Sequence, residues 1–268
     1  MAIWFAALLG LIQGLTEFLP VSSSGHLAIF QYFFGMDGTD YILFDVLLHL
    51  ATLIAIVTFY RRDIGAILRD LFGLISGKNK FTPAVRLLLL LLVATLPLFV
   101  FVLFADTIEG LSQNIVVIGV ALLVTSALLF LSGRIPKGNK SEKSATFADA
   151  LIVGLSQGIA TVPGLSRSGT TISAGLFRKF DRGFAVKFSF LMSIPAVLGA
   201  AVFKVSDAVS EGFELSQLPP YLLGMLVAGA VGYAALTWLK KLADKGFGIF
   251  AVYCAVAGAA TLIASFIF

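Results

Sequence analysis

A short polar, glycine-rich stretch occurs twice in this chain, each time in the middle of an apolar segment. The first copy reads G-L-I-Q-G-L-T-E-F-L-P-V-S-S-S-G-H from Gly10 to His26, and the second G-L-S-Q-G-I-A-T-V-P-G-L-S-R-S-G-T from Gly154 to Thr170. At an offset of 144 residues the pairs Gly10/Gly154, Leu11/Leu155, Gln13/Gln157, Gly14/Gly158, Ser22/Ser166, Ser24/Ser168 and Gly25/Gly169 are identical, and Pro20 and Pro163 miss by one. Helix-breaking, hydroxyl-rich backbone at membrane depth is tolerated only where it lines a protein-enclosed cavity. Two copies therefore point to one site built between two repeats.

That argument needs a membrane, and composition supplies it. The 268 residues are 59% hydrophobic and only 13% charged, against about a quarter charged in a soluble domain. The apolar runs are uninterrupted and roughly 20 residues long, which reads as helices rather than the alternation of a barrel. The start, Met1-Ala-Ile-Trp-Phe-Ala-Ala, has no basic n-region and no cleavage pattern, so no signal peptide is expected. One cysteine, Cys254, excludes an internal disulfide and a cysteine-based metal site. The net charge of +4 is too small to suggest nucleic acid and reflects basic loops.

The expected fold is an all-α polytopic membrane protein, a single integral membrane domain over residues 1–268. Six crossings are expected at about Tyr41–Tyr60, Pro83–Phe104, Ile115–Ser132, Phe184–Val205, Tyr221–Leu239 and Phe247–Phe268. Ile3–Phe34 and Phe147–Phe177, each broken by the repeated motif, read as re-entrant helix–loop–helix hairpins. Each repeat, about 1–133 and about 147–268, is then one hairpin plus three crossings, joined by the linker Arg134–Thr146. Loop charge alternates along the chain. Acidic loops carry Asp37 and Asp40, then Asp106 and Glu109, then Asp207, Glu211 and Glu214. Basic ones carry Arg61, Arg62, Arg69, Lys78 and Lys80, then Arg134, Lys137, Lys140 and Lys143, then Arg178, Lys179 and Arg182, then Lys240, Lys241 and Lys245. The positive-inside rule puts the basic groups on the cytoplasmic side. Three crossings per half is odd, so the second copy is inverted and the broken tips meet near the midplane.

Within the apolar segments remain Glu17, His26, Asp45, His49 and Arg167, with Arg86, Asp149, Lys187 and Lys204 near span ends. Intramembrane ionisable groups are costly and face the interior or water, so each is a candidate functional residue. Arg86, Lys187 and Lys204 read as snorkelling side chains. Asp45 and His49, one turn apart, suit an orienting or a structural role equally and stay outside the primary site. Pro97 and Pro195 mark kinks. The Gly-x-x-x-Gly pairs Gly10/Gly14 and Gly154/Gly158 imply close helix packing, as two abutting hairpins would need.

Arg167 lies in P-G-L-S-R-S-G-T-T, where a turn hands over to a helix. Exposed backbone N–H groups and a helix N-terminus favour an anion there, and a guanidinium adds bidentate recognition of phosphate oxygens. The alternative is an arginine that merely pairs with Glu17 across the repeat interface. The spacing is not that of a nucleotide P-loop. In the first copy Gln13 and Glu17 share a helix face, and Ser22, Ser23 and Ser24 precede His26, which lies within one helical turn of Ser22 or Ser23. A hydroxyl beside an imidazole with a carboxylate near is the arrangement that activates an oxygen nucleophile. Glu17 can instead hold a divalent cation with substrate phosphates, and the serines can simply cap a half-helix.

At these residues the chain resembles the undecaprenyl-diphosphate phosphatase family, the bacitracin-resistance proteins, over its whole length. The signatures are Q-G-L-T-E-F-L-P-V-S-S-S-G-H (Gln13–His26) and P-G-L-S-R-S-G-T-T (Pro163–Thr171). The resemblance implies hydrolysis of a C55 polyprenyl diphosphate to the monophosphate, which recycles the lipid carrier for cell-wall synthesis. It implies Mg²⁺ or Ca²⁺, an inner (plasma) membrane location, and a site facing the periplasm or cell exterior. The family's acidic motif maps to Gln13 and Glu17, its serine and histidine to Ser23 and His26, and its arginine motif to Ser166, Arg167, Ser168 and Thr171. Some members carry glutamate where Gln13 stands, so here Glu17 is the motif's one carboxylate. The partners are the polyprenyl diphosphate and the bilayer, without nucleic acid, and a homodimer stays open.

The mechanism these residues suggest is metal-assisted phosphoryl transfer. Ser22, Ser24, Gly25, Ser166, Arg167, Ser168, Gly169 and Thr171 hold the diphosphate, and Glu17, with Gln13 as a further candidate, holds the metal. Ser23 attacks the terminal phosphorus while His26 assists proton transfer; His26 or an activated water are the other candidate nucleophiles. Positioning and electrostatics carry most of such a reaction. The competing class is a transporter or flippase of a polyprenyl phosphate or other anion, since broken helices in inverted repeats are also transporter architecture. A pure carrier does not require a serine and histidine beside Glu17.

Overall fold

The computed structural model describes residues 1–35, 42–77, 81–211 and 217–267. Asp37, Asp40, Lys78, Lys80 and Glu214 lie outside the described residues, as do the side chains of Asp106, Glu109, Lys204, Asp207 and Glu211. Regular structure among the described residues is helical, apart from one isolated bridge between Lys140 and Phe180.

In chain order the α-helices are α1 (Ile3–Phe18), α2 (Ser23–Phe33), α3 (Ile42–Phe59), α4 (Arg61–Ile75), α5 (Pro83–Thr95), α6 (Leu98–Val102), α7 (Ala105–Gly110), α8 (Ile115–Gly133), α9 (Phe147–Ile159), α10 (Arg167–Phe177), α11 (Arg182–Glu211), α12 (Leu218–Leu242) and α13 (Gly248–Ala264). Pro83–Val102, Ile115–Gly133, Arg182–Val202 and Leu218–Lys245 are long and apolar enough to cross a membrane. A fifth candidate is the pair Leu43–Phe59 and Arg61–Ile75, bent by 71° at its break. The expected span at Phe247–Phe268 appears as the shorter apolar helix α13. Apolar side chains such as Val202, Leu226 and Val252 cover the outside, as a lipid-facing surface requires. This is a multi-pass membrane protein.

The two hairpins break where their sequence dictates. The residue before Pro20, Leu19, is extended at ψ 140°, because a proline disfavours helical backbone in its predecessor. Ser22 then takes a positive φ of 73°, and its hydroxyl accepts from Gly25 N to start α2. In the second hairpin the left-handed position falls on Gly164 (φ 89°), and the Ser166 hydroxyl accepts from Gly169 N to start α10. The arms are short. At 1.5 Å per residue the 16 residues of α1 and 13 of α9 fall short of the roughly 30 Å hydrocarbon core.

The glycine pairs pack differently from expectation. The hairpin arms do not pack their glycines on each other; each lies on helices of the other half of the chain. A Cβ on Gly10 would overlap the Gly224 carbonyl of α12, and one on Gly14 would sit 2.7 Å from Ala228 O. A Cβ on Gly154 would overlap the Ala94 carbonyl of α5, and one on Gly158 the Phe101 ring of α6. Helices α8 and α13 meet in the same way, where a Cβ on Gly258 would sit 2.8 Å from Gly119 O. Without a hydrophobic driving force between helices, such close backbone approach supplies the packing contacts.

One expected loop is also a helix. The basic stretch after α3 forms α4, whose Leu68, Phe72 and Ile75 are exposed alongside Arg61, Arg62 and Arg69. An apolar stripe flanked by arginines suits a helix lying in the membrane interface. The linker is tied down as well. Lys140 Nζ and Arg178 Nε each reach the fully buried Asp149 carboxylate at 2.7 Å, which also completes a capping box with Thr146 at the start of α9. Arg86 donates to Ala145 O at 2.7 Å, and Lys187 reaches Asp63 at 3.4 Å. Arg86 thus binds the linker and Lys187 binds α4, so both side chains are held by protein groups.

Gly154→Ala and Gly10→Ala should each lower stability by about 1–3 kcal/mol, the usual cost of overpacking. Gly65→Ala on α4, where an added Cβ meets nothing within 4 Å, should be neutral or stabilising. Thermal melting of the purified protein in one detergent measures all three; equal effects would show that the glycine contacts do not hold the arms.

Candidate active site

The two breaks face each other. The Ser22 hydroxyl donates to Leu165 O at 3.4 Å, and the Ser168 hydroxyl donates to Leu19 O, also at 3.4 Å. Each tip therefore satisfies a carbonyl that the other's break left without a helical partner. A Cβ on Gly25 would lie 3.0 Å from Gly164 Cα, so glycine allows the tips to touch. Ser166 N donates to the buried Thr125 hydroxyl of α8 at 3.0 Å, anchoring the second tip.

Glu17, at the end of α1 and 5% exposed, is the hub. Its Oε1 pairs with Arg167 Nη2, the first residue of α10. Its Oε2 accepts from the Ser23 hydroxyl at 2.6 Å and from Gln13 Nε2 at 3.0 Å. His49 Nδ1 lies 3.3 Å from the same oxygen and 2.9 Å from Gln13 Nε2. Such a buried carboxylate is affordable only with these partners. Arg167 is the cross-tip pair that the sequence left as the alternative, yet this uses one guanidinium nitrogen. Nε and Nη1 have no protein partner among the described residues, and the side chain is 22% exposed.

His26 lies elsewhere in the network than its spacing suggested. Its Nδ1 meets Ser22 O at 2.7 Å and its Nε2 meets the Tyr253 hydroxyl of α13 at 2.6 Å. No hydrogen bond joins it to Ser23; the hydroxyl of Ser23 is given to Glu17 instead. The helical turn that brings residues 22 and 26 together turns Ser23 toward the α1 terminus.

The sequence placed eight residues on the diphosphate. Ser22 and Ser166 spend their hydroxyls as caps, Gly25 and Gly169 are the N–H donors to those caps, and Ser24 is exposed. Ser168 also approaches Ser166 Oγ at 3.3 Å. Thr171 departs from expectation. Its buried hydroxyl donates to Arg167 O at 2.7 Å and contacts Ser189 of α11 at 2.6 Å, so it ties α10 to α11. What the tips offer an anion is Arg167 and first-turn N–H groups of α2 and α10. The N–H groups of Ser24 and Ser168 have no acceptor among the described residues, and two helix N-termini favour negative charge.

Two residues join the site that sequence reasoning left out. His49 was visible as an intramembrane ionisable group but had no register relative to Glu17. Tyr253 carried no signal, since a tyrosine in an apolar helix is ordinary. Asp45 stays beside the site, accepting from Gln31 Nε2 at 3.1 Å.

A carboxylate hydrogen-bonded to a serine hydroxyl, next to a guanidinium and two helix N-termini, suits chemistry on a bound phosphate. Comparison with known proteins agrees. The family model described as bacitracin resistance protein BacA matches residues 6–260. A protein named undecaprenyl-diphosphatase from Halothermothrix orenii is 39% identical over 270 residues, covering 100% of both chains. One of the same name from Carboxydothermus hydrogenoformans is 40% identical over 244 residues, covering 90% of this chain and 88% of its own. Another, from Methanosphaera stadtmanae, is 38% identical with 97% of each chain covered. The chain belongs to the bacitracin resistance protein BacA family.

Proposed function

We propose that this protein hydrolyses undecaprenyl diphosphate to undecaprenyl phosphate and inorganic phosphate, recycling the lipid carrier and so conferring bacitracin resistance. The observation that carries this reading is the chain Ser23–Glu17–Arg167 across the two tips. It joins a nucleophile, a base and an anion-binding cation inside an apolar bundle.

In this reading the terminal phosphate lies between the tips, held by Arg167 and the first-turn N–H groups of α2 and α10. Ser23 Oγ attacks the terminal phosphorus as its proton passes to Glu17 Oε2, 2.6 Å away. The bond to the bridging oxygen breaks, and undecaprenyl phosphate leaves. Water then attacks the phosphoserine, its proton passing to His26, and inorganic phosphate leaves as Ser23 Oγ takes its proton back from Glu17. Preorganised donors carry most of the rate.

The family resemblance implies Mg²⁺ or Ca²⁺, and the residues present fit such an ion. Gln13 Oε1 is a buried oxygen with no partner among the described residues, one turn from Glu17. No cluster of three His, Cys, Asp or Glu occurs among the described residues, so Glu17 and Gln13 would hold the ion together with substrate oxygens, the usual pattern for Mg²⁺. When bound, the ion supplies charge neutralisation on the diphosphate.

The architecture we infer is a pair of inverted repeats, residues 1–133 and 147–268, with six crossings in the plasma membrane. The basic loops lie in the cytoplasm, and the site opens to the outer face. The support is the exchange of packing between halves, Gly10 on α12 and Gly154 on α5. The same exchange favours a second reading, movement of a polyprenyl phosphate across the bilayer.

Purified protein in detergent should release phosphate from undecaprenyl diphosphate. Arg167→Ala should lower kcat about 10²–10³-fold, and Ser23→Ala or Glu17→Gln by about 10²–10⁴-fold. Near-normal phosphate release from Ser23→Ala would reject it as the nucleophile. Chelation with EDTA should abolish release and added Mg²⁺ restore it; full activity in EDTA would reject the metal. An inactive wild type that moves lipid across liposomes would favour transport.

A further inference from the structure

Tyr253 lies 227 residues from His26 in sequence, yet its hydroxyl is 2.6 Å from His26 Nε2. The two rings stack with centroids 5.6 Å apart and 13° between planes. On the opposite side of the imidazole, Nδ1 lies 2.7 Å from the main-chain oxygen of Ser22. That oxygen only accepts, so Nδ1 must carry the ring proton. In the neutral ring Nε2 then bears the lone pair, and the Tyr253 O–H donates to it. His26 is only 8% exposed, whereas Tyr253 is 46% exposed, so the phenol links the imidazole to the outside of the bundle. A tyrosine packed only for its apolar ring would not need its hydroxyl 2.6 Å from a ring nitrogen.

We propose that Tyr253 is a positioning residue that acts through His26. It orients the imidazole that Ser22 O holds in the Nδ1–H tautomer, with Nε2 kept as the lone-pair atom that its hydroxyl meets. The Ser22 carbonyl and the Tyr253 hydroxyl grip the ring from both ends, and the stacked phenol fixes its plane. The half-helix α2 is thereby joined to α13, the last helix of the chain, so the site draws on elements far apart in sequence. The catalytic consequence rests on the phosphatase reading above; the tautomer does not.

Two measurements on full-length protein in detergent test this. In phosphate release from undecaprenyl diphosphate, Tyr253→Phe should lower kcat by about 10–100-fold, less than the roughly 10²–10⁴-fold that an acid–base group itself contributes. KM should change less than about twofold, as for an interaction made only in the transition state. In a His26→Ala background the same substitution should cost nothing further. An equal loss in that background, or a raised KM with unchanged kcat, would overturn the proposal. The second readout does not need activity. The chain has two histidines, so ¹⁵N-histidine-labelled His49→Gln protein reports His26 alone. It should show one Nδ1–H tautomer with a hydrogen-bonded Nε2, and adding Tyr253→Phe should leave the tautomer in place but move Nε2 to its non-hydrogen-bonded resonance. An unchanged spectrum would overturn the proposal. Wild-type protein that releases no phosphate while the spectrum changes as expected would refute the phosphatase reading and uphold the positioning.

Discussion

The ion pair between Glu17 and Arg167 is the constraint around which the rest is arranged. An ionised carboxylate inside an apolar bundle is tolerated only if paired and hydrogen-bonded. Here the partner comes from a hairpin 150 residues away. Both hairpins must stop short for the two groups to meet, which is why α1 ends before Pro20 and α10 begins only after Gly164. The caps by Ser22 and Ser166, and the cross-tip bonds to Leu165 and Leu19, satisfy backbone groups that the breaks expose.

The same arrangement holds the other side chains of the site in place. Ser23, Gln13 and His49 converge on one oxygen of Glu17, and His26 is gripped by Ser22 and Tyr253. The hydroxyls of Ser166, Ser168 and Thr171 serve the frame that presents Arg167. Phosphoryl transfer asks for placed charges more than for exotic chemistry. The copies have divided that work, the first keeping carboxylate and imidazole and the second carrying guanidinium.

Much of this was legible from residue type and spacing. Intramembrane ionisable groups are rare, so Glu17, His26 and Arg167 stood out, and two proline and glycine breaks marked the hairpins. Partner choice was less legible. His26 and Ser23 are neighbours in sequence, but helical rotation sends one to Tyr253 and the other to Glu17. The Gly-x-x-x-Gly pairs announced close packing without naming the opposing helix, which is α12 for one and α5 and α6 for the other. The arginine-rich stretch after α3 read as a loop, because a loop and an interfacial helix carry the same charges. Its period of apolar residues, Leu68, Phe72 and Ile75, was the available signal.

By itself, then, the amino-acid sequence determined the apolar helical class, the duplicated broken hairpins and the residue types of the site, since hydropathy and helix-breaking residues act locally. The tertiary structure alone decided that Arg167 closes on Glu17, that the Ser23 hydroxyl donates its hydrogen bond to that same carboxylate, and that His49 and Tyr253 complete the network. Those contacts join helices far apart along the chain, and their geometry follows from helix rotation and packing depth, which no local pattern encodes.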